Sequence, residues 1–333
     1  MKVSVLGSGG WGTALALVLS DNGHQVTLWS HREERTALLQ ETHENTRLPG
    51  ISLPESMIFT SDLSHLTESE LVVMVTPSVA VRETARRAAP YIQKGTIIVS
   101  CSKGIERDTA LSQSQILEEE LPGCPVVVLS GPSHAEEVGK RIPTGCVAAS
   151  RDMAAAETVQ SLFMNPSFRV YTNSDVMGVE LGAALKNVLA LCCGISDGMG
   201  LGDNTKALLM TRGMTEMARL GVAMGGRKDT FAGLSGMGDL IVTCTSMHSR
   251  NRRCGILIGE GKTPQEAIKE VGAVVEGYYA AYSAHQLSQK MGVEMPICCC
   301  AYRILYEGLP VNNVVESLMT RNKKHEVDET WIS

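Results

Sequence analysis

No stretch of the chain reaches the roughly 18 uninterrupted apolar residues of a typical membrane span, so no transmembrane helix and no membrane insertion are expected. An excess of one charge is lacking too. The 333 residues carry 30 Lys and Arg against 36 Asp and Glu, a formal net charge of −6. Without a broad basic surface, counterion release cannot drive binding to nucleic acid or to an acidic membrane. No C-x-x-C is matched by a second. Instead Cys298, Cys299 and Cys300 are consecutive and Cys192 and Cys193 adjacent. They read as reduced core residues of a cytosolic protein, not as disulfides or zinc ligands. The histidines have no H-x-x-x-H spacing, so no metal site is expected. Internal repeats, low-complexity tracts and flexible linkers are absent, and the length suits two domains, each with its own core.

The apolar run after Lys2 is interrupted by glycines at 7, 9, 10 and 12, which spoils it as a signal sequence. These glycines fit a strand, turn and helix. Residues 2–6 are a short strand, Gly7-Ser8-Gly9-Gly10-Trp11-Gly12 is G-x-G-x-x-G, and 13–22 reads as an Ala/Leu-rich helix before a second strand at 25–29. In that context the motif binds a dinucleotide. The first glycine allows the tight turn, the second lets pyrophosphate approach the backbone, and the third lets helix pack on strand. The second strand ends in Ser30, His31 and Arg32 where an NAD-selective site would carry an acid. His31 and Arg32 are therefore candidates to hold a 2′-phosphate, with NADPH accepted and preferred; a solvated loop is the plainer alternative.

Apolar runs at 71–75, 96–99 and 126–129 read as buried parallel strands, each breaking into a small or polar loop at its carboxyl end. In a doubly wound sheet that edge holds the ligand. Lys103 and, in the next loop, Gly131 and Ser133 are thus candidates to line the cleft. By composition alone Lys103 is an ordinary surface-loop lysine.

From 176 to 195 the chain is apolar or small almost all the way round, the mark of a buried helix, with Lys186 and Asn187 nearly its only polar residues after Glu180. Buried ammonium groups need a partner or a task, and burial lowers a lysine pKa toward the range useful for proton exchange. A lysine reaching out to water is the alternative. Asp239 precedes an apolar run and reads either as a helix cap or as a carboxylate for Lys186, with Thr243 on the same helical face. Ser249 is a cap followed by Arg250, Asn251, Arg252 and Arg253, the wrong end of a helix for cations unless an anion sits there; a phosphate fits. Thr263-Pro264-Gln265-Glu266 is a capping box. Strands alternate with helices up to about Ser174 and helices dominate afterwards. The expected architecture is α/β: a Rossmann-type doubly wound domain (1–174), an all-α domain (175–325) with the active site between them, and a frayed tail (326–333).

Several stretches carry a family likeness. CSKGIE, SGPSHAEE, the run from KNVLALCCG to MARLG at 186–221, GLSGMGDLIVTCTSMHSRNRRCG at 233–255 and VVEGYYAAY resemble bacterial-type NAD(P)-dependent glycerol-3-phosphate dehydrogenases, and the likeness extends over nearly the whole chain. The resemblance implies a second domain like that of 6-phosphogluconate dehydrogenase. It also implies reversible reduction of dihydroxyacetone phosphate to sn-glycerol 3-phosphate with NADP(H) or NAD(H) and no metal. Lys186 matches the proton donor and acceptor. Asp239 and Lys103 match active-site positions. Substrate contacts fall on Lys103, Gly131, Ser133, Lys186, Asn187, Asp239, Thr243, Ser249, Arg250 and Asn251. Cofactor contacts fall on Gly7, Gly9, Gly10, Trp11, Gly12, His31, Arg32, Lys103, Ala135, Arg250, Val274 and Glu276. A cytoplasmic homodimer supplying phospholipid synthesis is implied as well. Trp11 stands where other aromatics are frequent, which puts packing detail in doubt. Two other readings stay open: the same architecture acting on a hydroxy acid or opine, and a catalytically silent dinucleotide-binding scaffold.

Overall fold

The computed structural model describes residues 1–323 and 325–326; of the tail expected at 326–333, all but Glu326 lies outside the described residues. The chain forms two compact units. The first comprises Met1–Lys103 and Leu111–Val176, and the second comprises Gly104–Ala110 and the chain from Met177 on. The excursion of Gly104–Ala110 into the second unit was not legible in the sequence.

The first unit is built on ten strands: β1 (Lys2–Leu6), β2 (Gln25–Trp29), β3 (Glu44–Asn45), β4 (Leu48–Ser52), β5 (Ile58–Thr60), β6 (Leu71–Met74), β7 (Ile97–Ser100), β8 (Val126–Ser130), β9 (Thr144–Ala149) and β10 (Phe168–Asn173). Eight of them make one sheet in the order β10-β9-β8-β7-β6-β1-β2-β5. All its pairs are parallel except β8 with β9. The central strands β6, β7 and β8 are continuous Val/Ile/Leu runs because helices cover both faces. The strand order reverses at β1 and β6, so the loops after these two strands flank the crevice where such sheets bind ligands. β3 and β4 form a separate hairpin over the glycine turn. Asn45 ties it down, its Nδ2 donating to Ser8 O (3.0 Å) and Thr13 Oγ1 (2.6 Å).

The second unit is helical and organised around Val176–Gly198, three residues longer than the expected 176–195 helix. This helix is long and apolar enough to cross a membrane by length and composition, yet 83% of its apolar window is buried in the protein. Its glycines explain how neighbours reach it. A Cβ at Gly182 would come within 2.7 Å of Ser235 O, and one at Gly194 within 2.1 Å of Arg252 O. Across the second contact, Gly255 would meet Leu191 O at 2.1 Å and Gly259 would meet Ile195 O at 2.3 Å. Three elements therefore bring their backbones directly against the central helix: the π-helical turn Leu234–Gly238, the helix Arg250–Gly259 and the start of helix Glu276–Met291, where a Cβ at Gly277 would lie 2.5 Å from Asn187 O.

Candidate active site

In the first unit, Gly7 holds φ 131°, and a Cβ there would sit 2.7 Å from Val75 O. Only glycine tolerates that turn. A Cβ on Gly12 would lie 1.9 Å from Gly7 O, so helix Gly10–Asp21 packs on the strand end more closely than any side chain allows. The helix starts at Gly10, three residues earlier than the sequence suggests, directly after Gly9 in the extended conformation of an N-cap. Gly9 caps it and faces open space, with nothing within 4 Å of an added Cβ. Gly10 lies under Arg47 O and against Ala135 Cβ, at 2.7 and 3.5 Å from an added Cβ.

These residues fit a dinucleotide on physical grounds. Trp11 Nε1 is a buried donor without a partner, and Thr76 Oγ1, Ser100 Oγ and Ser130 Oγ are buried and unpartnered where β6, β7 and β8 end. Buried polar groups left unpaired by protein call for a polar ligand or solvent. Lys103, Gly131 and Ser133 come together at the same edge: Lys103 Nζ donates to Gly131 O (3.0 Å) and Ser133 Oγ (3.2 Å). Gly131 holds φ 144°, with the Cys146 backbone 3.0 Å from an added Cβ.

Past β2, Arg32 Nε donates to His31 Nε2 at 3.3 Å. Burial, and then the charges of Arg32, Arg35 and Arg87, hold His31 below the ordinary imidazole range, so it accepts as a neutral ring. Arg35 is also held down, by burial and by Arg47 and Arg32. Arg35, Arg47 and Arg87 were missed by sequence reasoning. Arg87 arrives over the Trp29 ring at 5.9 Å, and Arg47 arrives on the hairpin, whose pairing leaves no periodic signal in so short a segment.

In the second unit the buried polar residues form one centre. Lys186 Nζ donates to Asp239 Oδ1 and to Thr243 Oγ1, the latter at 2.9 Å. Thr243 Oγ1 in turn donates to Asp239 O at 2.6 Å. Lys186, Asp239 and Thr243 are 6%, 1% and 4% exposed. The contact at Gly182, one turn before Lys186, delivers Asp239 to the ammonium, because Asp239 opens the helix that follows the π-helical turn. The N-cap of that helix is Gly238, and Asp239, its first residue, turns its carboxylate to Lys186.

Next along the helix, Asn251 Nδ2 donates to Asn187 Oδ1 (2.9 Å), and Asn251 Oδ1 accepts from Gly277 N (2.8 Å). Asn187, Asn251 and the start of helix Glu276–Met291 are thereby joined, with Val274 just before them. Ser249 caps its helix, its Oγ accepting from Arg252 N at 3.2 Å. The three arginines differ. Arg252 has its anion inside the protein, with Nε donating to Asp197 Oδ2 (2.8 Å) and Nη1 to Thr245 O (2.8 Å). Arg250 and Arg253 are exposed, and Arg250 is the first residue of the helix.

A glycine turn with unpaired donors in one unit and a buried lysine–carboxylate centre in the other are the parts of a dinucleotide-dependent oxidoreductase. Residues 2–156 match the model of the NAD-dependent glycerol-3-phosphate dehydrogenase N-terminus, and residues 175–316 that of its C-terminus. The chain is 53% identical to a glycerol-3-phosphate dehydrogenase [NAD(P)+] of Bacillus velezensis, over 98% of this chain and 96% of that one. It is 54% identical to the protein of that name from Moorella thermoacetica, over 98% of each. The crystal structure of glycerol-3-phosphate dehydrogenase from Coxiella burnetii is similar with a TM-score of 0.93 at 40% identity, covering 96% of this chain and 99% of that one. The chain belongs to the NAD-dependent glycerol-3-phosphate dehydrogenase family.

Proposed function

We propose that this protein interconverts dihydroxyacetone phosphate and sn-glycerol 3-phosphate, with Lys186 as the proton donor and acceptor. The observation that carries the reading is the buried Lys186–Asp239–Thr243 centre, an ammonium held by two oxygens inside an apolar core. A nicotinamide dinucleotide held by the glycine turn at residues 7–12 would supply the hydride to the ketone carbon, or take it from the alcohol carbon in the reverse direction.

Lys186 gives a proton to the oxygen that becomes the alcohol, and its charge stabilises the negative charge building there, usually the larger of the two effects. Asp239 and Thr243 fix the ammonium, and the carboxylate offsets part of its desolvation. Lys103, steadied by Gly131 and Ser133, adds positive charge toward the ketone. Arg250 and Asn251, at the N-terminus of the helix that Ser249 caps, hold the phosphate end. Asn251 spends one of its two Nδ2 donors on Asn187, which orients the other. Gly7, Gly9, Gly10, Trp11, Gly12 and Ala135 hold the cofactor, with Val274 and Glu276 at its ribose. His31 and Arg32, supported by the charges of Arg35, Arg47 and Arg87, favour NADPH over NADH. Action as a cytoplasmic homodimer that feeds phospholipid synthesis belongs to the same proposal and rests on the family resemblance.

The test follows NADPH absorbance on adding dihydroxyacetone phosphate, then repeats with NADH and with unphosphorylated dihydroxyacetone. Rapid loss with the phosphorylated ketone alone is expected, faster with NADPH. A folded protein that binds NADPH but oxidises it with neither ketone sinks the reading.

A further inference from the structure

Between Lys103 and Leu111 the chain leaves the first unit and packs with the second. Ile105 and Ala110 are buried in the second unit's core. Three contacts fasten the segment to helix Glu276–Met291: Ser283 Oγ donates to Ile105 O (3.2 Å), Gln286 Nε2 donates to Asp108 O (3.3 Å), and the Arg107 guanidinium lies 4.1 Å from the centre of the Tyr282 ring.

The same segment is strained. Among the described residues four non-glycine positions have positive φ, and two of them are Asp108 (70°) and Ala110 (60°). Alanine has no side-chain hydrogen bond to offset that conformation, so it persists only where surrounding contacts impose it. On its other side Lys103 is equally fixed, with Cys101 N donating to Met74 O (2.9 Å) and Ser102 Oγ to Thr76 O (2.6 Å). Along the chain, Lys103 is thus preceded by backbone fastened to the sheet and followed by a strained segment.

We propose that Gly104–Ala110 is a positioning strap for Lys103, in which Arg107 on Tyr282 and the left-handed Ala110 set the direction of the backbone and so the place of the ammonium. The proposal rests on the role given to Lys103 above. Arg107 and Ala110 are positioning residues that need touch neither ligand. A loop that merely joined two elements would lose nothing on relaxing.

The experiment compares Arg107→Ala, Arg107→Lys, Ala110→Gly and Lys103→Ala in kcat, KM for dihydroxyacetone phosphate, NADPH affinity and Tm. Ala110→Gly keeps the left-handed backbone without its strain, so the strap holds its direction, Tm holds or rises and kcat stays near the parent's. Arg107→Ala lowers kcat about tenfold, a loss typical of small misplacement, with NADPH affinity intact, and Arg107→Lys, which keeps a cation over the ring, recovers most of it. Should Arg107→Ala also lower Tm, the recovery in Arg107→Lys decides. Normal turnover in Arg107→Ala, with Lys103→Ala impaired, overturns the strap but leaves Lys103 in place. Normal turnover in Lys103→Ala overturns the role of Lys103 and the strap with it.

Discussion

Replacing Lys186 by methionine keeps the volume of the stem and removes the ammonium, and the structure predicts two separable losses. The first is stability. Asp239 is 1% exposed, and without Lys186 its carboxylate loses the ammonium that faces it, while the approach of Thr243 Oγ1 at 3.5 Å is a weak one. Breaking one side of a buried ion pair costs about 3–5 kcal/mol. The second is turnover, where losing the proton donor costs roughly 10²–10⁴ and losing a fixed charge at the reacting oxygen a further 10²–10³ at most. Adding Asp239→Asn separates the two. The double variant, with no buried charge left alone, regains most of the stability in urea denaturation yet stays inactive by NADPH absorbance. Binding of NADPH, followed by its fluorescence, should be near normal in both. Turnover of Lys186→Met within tenfold of the parent would refute the mechanism. Failure of Asp239→Asn to restore stability would refute the claim that the carboxylate is the stranded group.

Glu216 offers a pH test. Burial pushes its carboxyl up from the ordinary 4.5 to about 7, although the backbone N–H groups of Ile297 and Cys298 donate to it. The folded protein holds that proton where the unfolded chain has lost it, so stability falls as pH rises from about 4.5 to 7, by about 3 kcal/mol. Glu216→Gln should flatten this slope in urea titrations; an unchanged slope assigns it elsewhere. Gly182→Ala places a Cβ 2.7 Å from Ser235 O and should cost about 1–3 kcal/mol while lowering kcat, because it pushes Asp239 away from Lys186. Full activity in that variant would show that the close contact does not position the pair. Arg250→Ala should raise KM for dihydroxyacetone phosphate with stability unchanged, whereas Arg252→Ala should lose about 1–3 kcal/mol by leaving Asp197 without its Nε bond. The reverse pattern would exchange their roles.

Much of this was legible in one dimension. Strands β1 and β2 and the glycine turn follow from an alternation of apolar runs with glycines that only certain backbones require. Lys186 stood out because a lone cation in an all-apolar helix needs an explanation. The family resemblance then supplied roles for residues such as Ala135 and Glu276, whose types and spacing by themselves say little.

What the sequence determined by itself was local: helix periods, caps, the turn glycines, and the chemical types along each element, all set by interactions within a few residues. The tertiary structure alone decided who meets whom. Asp239 partners Lys186 rather than capping its own helix, and Arg252 spends its charge on Asp197. Arg47 joins Arg32 from a hairpin, and Gly104–Ala110 crosses to the other unit. The first two depend on backbones approaching at glycines far apart in the chain, Gly182 against Ser235 and Gly194 against Arg252. Such contacts are selected by the packing of whole surfaces, which no window of neighbouring residues encodes.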